Sequence, residues 1–201
     1  MSKLKSVCVY CGSQGGNNRD YLNSAVVLGT ALAKAKLRLV YGGGAKGIMG
    51  AVADAVLAGR GEVTGIIPQF LITKEASAPT LARLSQTIIT QNMHERKHAM
   101  FERADAFVAL PGGIGTLEEI IEVMTWAQLG RHKKPILLAN INGFWDRLVG
   151  LIDHMHEEGF IHSKSLVRPL VVEQPEAIVP ALLQAAKNAA NGGDASAIGK
   201  L

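Results

Sequence analysis

The sequence predicts a single-domain α/β fold, a doubly wound, Rossmann-like parallel sheet with helices on both faces. Three observations predict it. Apolar runs of strand length, at 4–10, 37–41, 62–67, 87–90, 106–110 and 135–139, alternate with amphipathic stretches of helix length. The connections are mostly short, several of them are glycine turns, and right-handed crossovers then gather every post-strand loop at one sheet edge. The composition, 48% hydrophobic and 19% charged over 201 residues, supplies enough core for one such unit. Residues 1–190 are expected to form this domain, with 191–201, small, polar and glycine-bearing, as a frayed tail.

The first strand, 4–10, runs into the polar loop Cys11-Gly12-Ser13-Gln14-Gly15-Gly16-Asn17. A helix then begins near Asp20, with Tyr21, Ala25, Leu28 and Leu32 on one face. The second strand leads into residues 42–50, GGGAKGIMG, a strand–glycine turn–helix. Gly42, Gly44 and Gly47 satisfy G-x-G-x-x-G, and Glu62 stands about where an acidic ribose partner is sought, so an NAD site, and with it an oxidoreductase, is one reading. Two features weigh against it: the pattern follows the second strand instead of the first, and Glu62 opens a strand. A Walker A loop is excluded, because Ile48 follows Gly47 and no G-K-[ST] occurs.

The third strand, 62–67, is ended by Pro68. Residues 69–84 form a long connection with short helical pieces, of the kind that often covers an α/β site. After strand 87–90, Asn92 is placed to cap a helix, with Glu95 as its partner three residues on. Arg96 and Lys97 then lie in the first turns, where positive charge opposes the helix dipole at about 0.3–1 kcal/mol each, so something negative is expected to offset them. Lys97 shares a stripe with Met93, Met100, Phe101 and Ala104, which packs its stem and directs its ammonium; two solvated surface cations are the alternative. His94 reads as a capping or polar-network residue.

Strand 106–110 opens onto Pro111-Gly112-Gly113-Ile114-Gly115-Thr116-Leu117-Glu118-Glu119 and a helix reaching Gly130. Glycines let the backbone approach a ligand, and free amides at a helix start favour an anion, so this turn reads as a phosphate cradle. Thr116 and Glu119 also have the spacing of a capping box. Three glycines exceed what a cap needs. Leu117, Ile120, Ile121 and Met124 form one apolar stripe while Val123 and Trp126 point away from it, and that second apolar side calls for another element or subunit. A basic turn, Arg131-His132-Lys133-Lys134, strand 135–139, a helix over 144–158, a last strand within 166–173 interrupted at Pro169, and a helix from Pro175 to about Ala190 complete the chain.

The net charge is +4 with an isoelectric point near 9.1, yet Lys and Arg are scattered and aromatics are 5%. That argues against a nucleic-acid platform and for a small anionic ligand. Cys8 and Cys11 are expected to be structural: on a strand they face opposite ways, no second pair completes a zinc site, and no helix opens at Cys8. No metal site is expected. No signal-peptide core or bilayer-length apolar run is visible, so reduced cytosol is the default.

The loops at Gly12-Ser13, 42–47, 92–97 and 111–116 should therefore converge at the carboxyl ends of the strands, where such sheets bind ligands. Amide-rich turns with an Arg, a Lys and a Glu suit a phosphorylated sugar or nucleoside monophosphate, the Glu standing by the sugar because a carboxylate beside phosphate is repelled.

The pair formed by residues 93–97, MHERK, and 111–119, PGGIGTLEE, resembles the motif set of the LONELY GUY family, the cytokinin riboside 5′-monophosphate phosphoribohydrolases. The resemblance extends over Cys11-Gly12-Ser13, the 42–50 loop, Ala104-Asp105-Ala106 and residues 125–130, TWAQLG. Ala45 departs from a frequent Ser. The resemblance implies hydrolysis of the N-glycosidic bond of an N6-modified adenosine monophosphate, or AMP, to free base and ribose 5-phosphate, without a cofactor. It implies Glu119 and Arg96 as the catalytic pair, with Gly12, Ser13, Gly43, Gly44, Met93, Lys97, Gly112, Gly113, Gly115 and Thr116 binding the nucleotide and its phosphate. It also implies a homodimer or larger assembly. Members were once labelled lysine decarboxylases, but no lysine here has a supporting pyridoxal-phosphate site. The rival readings are a non-catalytic nucleotide or molybdenum-cofactor binding module and the NAD-dependent oxidoreductase.

Overall fold

Seven parallel strands lie in one sheet among the described residues, 4–161 and 168–190 of a computed structural model. They are β1 (Ser6–Tyr10), β2 (Arg38–Tyr41), β3 (Val63–Pro68), β4 (Gln86–Thr90), β5 (Ala106–Ala109), β6 (Ile136–Ala139) and β7 (Leu170–Val172), ordered β4-β3-β2-β1-β5-β6-β7. Every adjacent pair is parallel. This is the doubly wound, helix-covered sheet that the sequence predicts.

The helices are α1 (Arg19–Lys34), α2 (Gly47–Ala58), the short α3 (Ile72–Glu75) and α4 (Ala78–Ala82), α5 (Met93–Glu102), α6 (Ile114–Gln128), α7 (Asp146–Glu157) and α8 (Ile178–Ala190). The central strands are buried on both faces, as sheets sandwiched by crossover helices must be. One core joins Val7, Val9, Leu39, Tyr41 and Val108 to Leu28 and Leu32 of α1 and Val52 and Val56 of α2. The other joins Cys8, Tyr10, Phe107 and Leu138 to Met100 of α5 and to Ile120, Val123 and Met124 of α6. Asp105 pins the start of β1: its carboxylate accepts from the amides of Lys5 and Ser6 and from the Ser6 hydroxyl, at 2.9–3.0 Å.

Several expected boundaries move. The helix expected over 144–158 begins at Asp146, because a 3₁₀ turn, Ile141–Gly143, intervenes with Asn142 at φ 53°. Pro175 opens a 3₁₀ turn, Pro175–Ala177, before α8. The last strand starts after Pro169; residues 166–167 of the expected strand, and all of the expected tail 191–201, lie outside the described residues.

Candidate active site

The chain winds from β1 to β4 in one direction and returns to lay β5 on the other side of β1, so the switch point falls between β1 and β5. There the loops are tied together. The Gly12 amide donates to the Pro111 carbonyl at 3.1 Å, and the Met49 amide, in the first turn of α2, donates to the Gly12 carbonyl at 3.2 Å. Ser13 is half-buried, with its backbone packed against Gly47. Gly43, buried at φ +76°, sits against Ile67, and Gly44, also buried, sits against Met49.

The start of α6 departs from the capping-box reading. Gly113 is the N-cap, no side chain caps the helix, and the first turn carries no acid. Thr116 is already inside the helix and buried, and its hydroxyl lies against Gly112, where a Cβ would come within 2.1 Å of Thr116 Oγ1 and 2.8 Å of the Gly12 amide. At Gly113 and Gly115 a Cβ would meet nothing within 4 Å. The first-turn amides of α6, orphaned as in any helix start, thus face no intrachain cap.

Across from this turn, α5 is capped as expected. Asn92 Oδ1 accepts from the Glu95 amide at 2.9 Å, and Glu95 reaches back to the Gln91 amide at 2.9 Å. His94 is exposed and takes no part in the cap. The cap fixes Arg96 one turn in, pointing at the strand tips. Its Nε donates to the Ile66 carbonyl at 3.1 Å and its Nη2 to the Gly42 carbonyl at 3.0 Å. A Cβ at Gly42 would fall 2.0 Å from Arg96 Nη2, so a side chain there would displace the guanidinium from this seat. Arg96 Nη1 lies 3.9 Å from the sulfur of half-buried Met93 and 3.9 Å from Glu119 Oε1. Lys97, expected beside Arg96 in ligand contact, has its ammonium engaged by Glu118 and by Glu122, the latter at 3.2 Å. Those carboxylates are the negative partners that its place in the helix demanded.

Glu119 is 9% exposed, a carboxylate held in the interior at the mouth of the sheet. Burial pushes its pKa up to about 7; Arg96 pulls down, Glu118 and Glu75 push up, and Lys97 pulls down. The guanidinium at 3.9 Å is an ion pair longer than a direct hydrogen bond, so the charge is offset without being quenched. A carboxylate near half-ionised at neutral pH, beside a fixed cation and an uncapped helix start, can face a developing positive charge next to a bound anion.

Glu75 was missed by sequence reasoning. It lies in the 69–84 connection, its carbonyl accepts from the Ala45 amide at 2.8 Å, and its Oε2 is buried without a hydrogen-bond partner among the described residues. The signal available was a lone acid among short helical pieces in a long loop at the ligand edge. Glu62, sought as a ribose partner for a dinucleotide, instead bonds Arg38 at 2.6 and 2.9 Å just before β3, at the edge opposite the glycine loops. Cys8 and Cys11 are free, buried and divided between the two cores. Among the described residues no cluster of His, Cys, Asp and Glu could hold a metal ion, and no helix is long and apolar enough to cross a membrane.

The two-sided apolar character of α6 resolves differently from the expected split. Val123 joins Ile120, Met124 and Ala127 in the core, and Trp126 packs edge-on to Phe101 at 4.7 Å between centroids. Ile114, 81% exposed, and Ile121, 37% exposed, are the apolar residues left outward.

Comparison with known proteins places these features in a family. The model described as "Possible lysine decarboxylase" matches residues 49–182. The "Probable cytokinin riboside 5'-monophosphate phosphoribohydrolase LOGL9" of Oryza sativa subsp. japonica is 48% identical over 88% of this chain and 75% of its own length. Cytokinin riboside 5'-monophosphate phosphoribohydrolase LOG1 of Arabidopsis thaliana is 45% identical over 88% of this chain and 80% of its own. The molybdenum cofactor binding protein of Rippkaea orientalis shares the fold at a TM-score of 0.67, with 18% identity over 92% of this chain and 98% of that one. With its motif pair at the switch point and this identity along most of its length, the chain belongs to the LONELY GUY family.

Proposed function

We propose that the protein hydrolyses the N-glycosidic bond of N6-modified adenosine 5′-monophosphates, the cytokinin riboside monophosphates, and of AMP, releasing free base and ribose 5-phosphate. The observation that carries the reading is Glu119, buried 3.9 Å from Arg96 beside the uncapped start of α6. The names of the relatives LOGL9 and LOG1 support the same substrate class.

In this reading the 5′-phosphate docks on the amides of Gly112, Gly113, Gly115 and Thr116, where the α6 dipole favours an anion. Gly12, Ser13, Gly43 and Gly44 complete the wall, Met93 flanks it, and Arg96 anchors the nucleotide. The bond from C1′ to the base breaks with its electron pair going to the base, leaving an oxocarbenium-like ribose. Ionised Glu119 stabilises that cation, holds the ribose hydroxyls and orients the water. The water oxygen bonds to C1′, one water proton ends on the departing base, and the products are neutral base and ribose 5-phosphate. The unpaired Oε2 of Glu75 offers an acceptor to a donor of the nucleoside.

We read the chain as a homodimer or larger, because Ile114 and Ile121 beside the site are apolar and exposed. We read it as cytosolic, where Cys8 and Cys11 stay reduced, and residues 1–190 as one domain with 191–201 as a tail. The test is base release from AMP and isopentenyladenosine monophosphate, compared with di- and triphosphates and with unphosphorylated nucleosides. Release confined to monophosphates is expected. No release from either monophosphate, with a molybdenum cofactor or NAD found by mass in the purified protein, would replace this reading by a carrier or an oxidoreductase.

A further inference from the structure

Two adjacent cations open α5 and part company. Arg96 turns to the strand tips, while Lys97 turns to α6, where its ammonium donates to Glu118 and to Glu122 Oε1 at 3.2 Å. The side chain of Lys97 is 10% exposed while Glu118 is 50% and Glu122 27% exposed, so the ammonium is covered and its two acids form the solvent side of the contact. Glu118 and Glu122 stand one helical turn apart and flank Glu119 in sequence, so a single ammonium grips the helix on both sides of the buried carboxylate.

We propose that Lys97 is a positioning residue: it clamps α6 to α5 and balances the two carboxylates beside Glu119, instead of gripping the substrate phosphate. This rests on Glu119 being the working carboxylate. For a phosphate to recruit the ammonium, both carboxylate bonds would have to be given up, and two acids would be left bare next to a third. The groups that face Glu119 can be tallied by element. From β1 come Cys8 and Tyr10 and from the loop after it Cys11, each held protonated because burial pushes its pKa up. From α3 comes Glu75, from α6 Glu118, and from α5 Arg96 and Lys97. Among the described residues these two are the cations acting on Glu119, Arg96 directly at 3.9 Å and Lys97 while paired to two other acids. The Lys97 ammonium loses by burial but gains more from its bonds to Glu118 and Glu122, so it stays charged above its ordinary range.

The test follows Glu119 directly, by carboxyl ¹³C NMR of the ligand-free full chain, its resonance identified by loss in Glu119→Gln. In Lys97→Met two uncompensated acids remain, and the Glu119 midpoint should rise by about one pH unit. In Glu118→Gln/Glu122→Gln the lysine charge remains without those acids, and the midpoint should fall. The triple variant removes one cation and two acids, so its midpoint should lie between those of the single and double variants and at or below the parent's. The acidic limb of kcat/KM for AMP should move with the midpoint in each case. A midpoint unmoved in these variants, with a KM for AMP raised about tenfold or more in Lys97→Met and not recovered in the triple variant, would make Lys97 a phosphate ligand and overturn the proposal. Should Lys97→Met fail to fold, the double variant decides alone through the opposite sign of its shift. Midpoints that move as stated in a protein that releases no base would uphold the charge balance and sink the enzymatic reading instead.

Discussion

Replacing Glu119 by Gln separates the cost of this carboxylate from its use. Its pKa stands near 7 against an ordinary glutamate value of about 4.3. The folded protein therefore binds this proton more tightly than the unfolded chain, and protonation favours the fold. Below about pH 4 both states are protonated and the group costs nothing; the penalty grows as pH rises through 7 and is complete above it. At 1.36 kcal/mol per pKa unit the full penalty is about 4 kcal/mol. Glu119→Gln removes it, so the variant should gain stability over the parent by roughly 2–3 kcal/mol more at pH 8 than at pH 5. Comparing the two pH values cancels whatever Arg96 loses when its partner becomes neutral. Urea denaturation at both pH values supplies the stability, and base release from AMP supplies the activity, which should fall at least about 100-fold. The parent's kcat/KM should decline below pH 7 while this group's contribution to stability rises. A stability difference flat between pH 5 and pH 8, or turnover at the parent rate, would refute the reasoning.

Arg96→Met strands the Ile66 and Gly42 carbonyls and leaves Glu119 without its nearby guanidinium, so unfolding at pH 8 should become easier by about 3–5 kcal/mol, read in urea. Gly112→Ala drives a methyl into Thr116 and the Gly12 amide and should cost about 1–3 kcal/mol with loss of base release, whereas Gly115→Ala meets nothing, so its melting temperature should hold while any activity loss reports the bound phosphate itself. Glu75→Gln removes a like charge near Glu119 and should move the acidic limb of kcat/KM downward. A fall in rate at every pH in that variant marks a lost contact to the nucleoside. Cys8 and Cys11, buried and raised in pKa, should resist a disulfide reagent in the native protein and titrate as two thiols in denaturant.

Sequence periodicity reached the sheet, its parallel order and the convergence of the glycine turns, because buried strands and crossover helices leave unmistakable runs. It reached the α5 cap through Asn92 and Glu95, yet the same spacing at Thr116 and Glu119 produced no cap. The difference is Gly112 and Gly113: without side chains they let the helix start three residues earlier, which buries Thr116 against Gly112 and frees the Glu119 carboxylate for the interior. Spacing records which residues are a turn apart but not where the helix begins. Val123 and Ile121 exchanged roles for a related reason, since a helix wheel fixes two apolar sides without saying which one meets the sheet. Lys97 and Glu75 lay further from reach. Their partners come from α6 and from the glycine loop of β2, contacts 21 or more residues away that only the folded sheet creates.

The fold explains why the carboxylate can be held where it is at all. An isolated glutamate taken into a core would be driven to its neutral form, and a glutamate left in solvent would lose its force on a nearby sugar cation to screening. Here the switch point brings Arg96 across from α5, braced by two carbonyls so that it cannot collapse onto Glu119 into a tight pair. The carboxylate stays poised near half-ionised at neutral pH, expensive to the fold and, among the described residues, held by no hydrogen bond, with the 3.9 Å contact to Arg96 as its ion pair. A ligand bearing its anion at the start of α6 and its incipient cation at the sugar would match both halves of that arrangement at once.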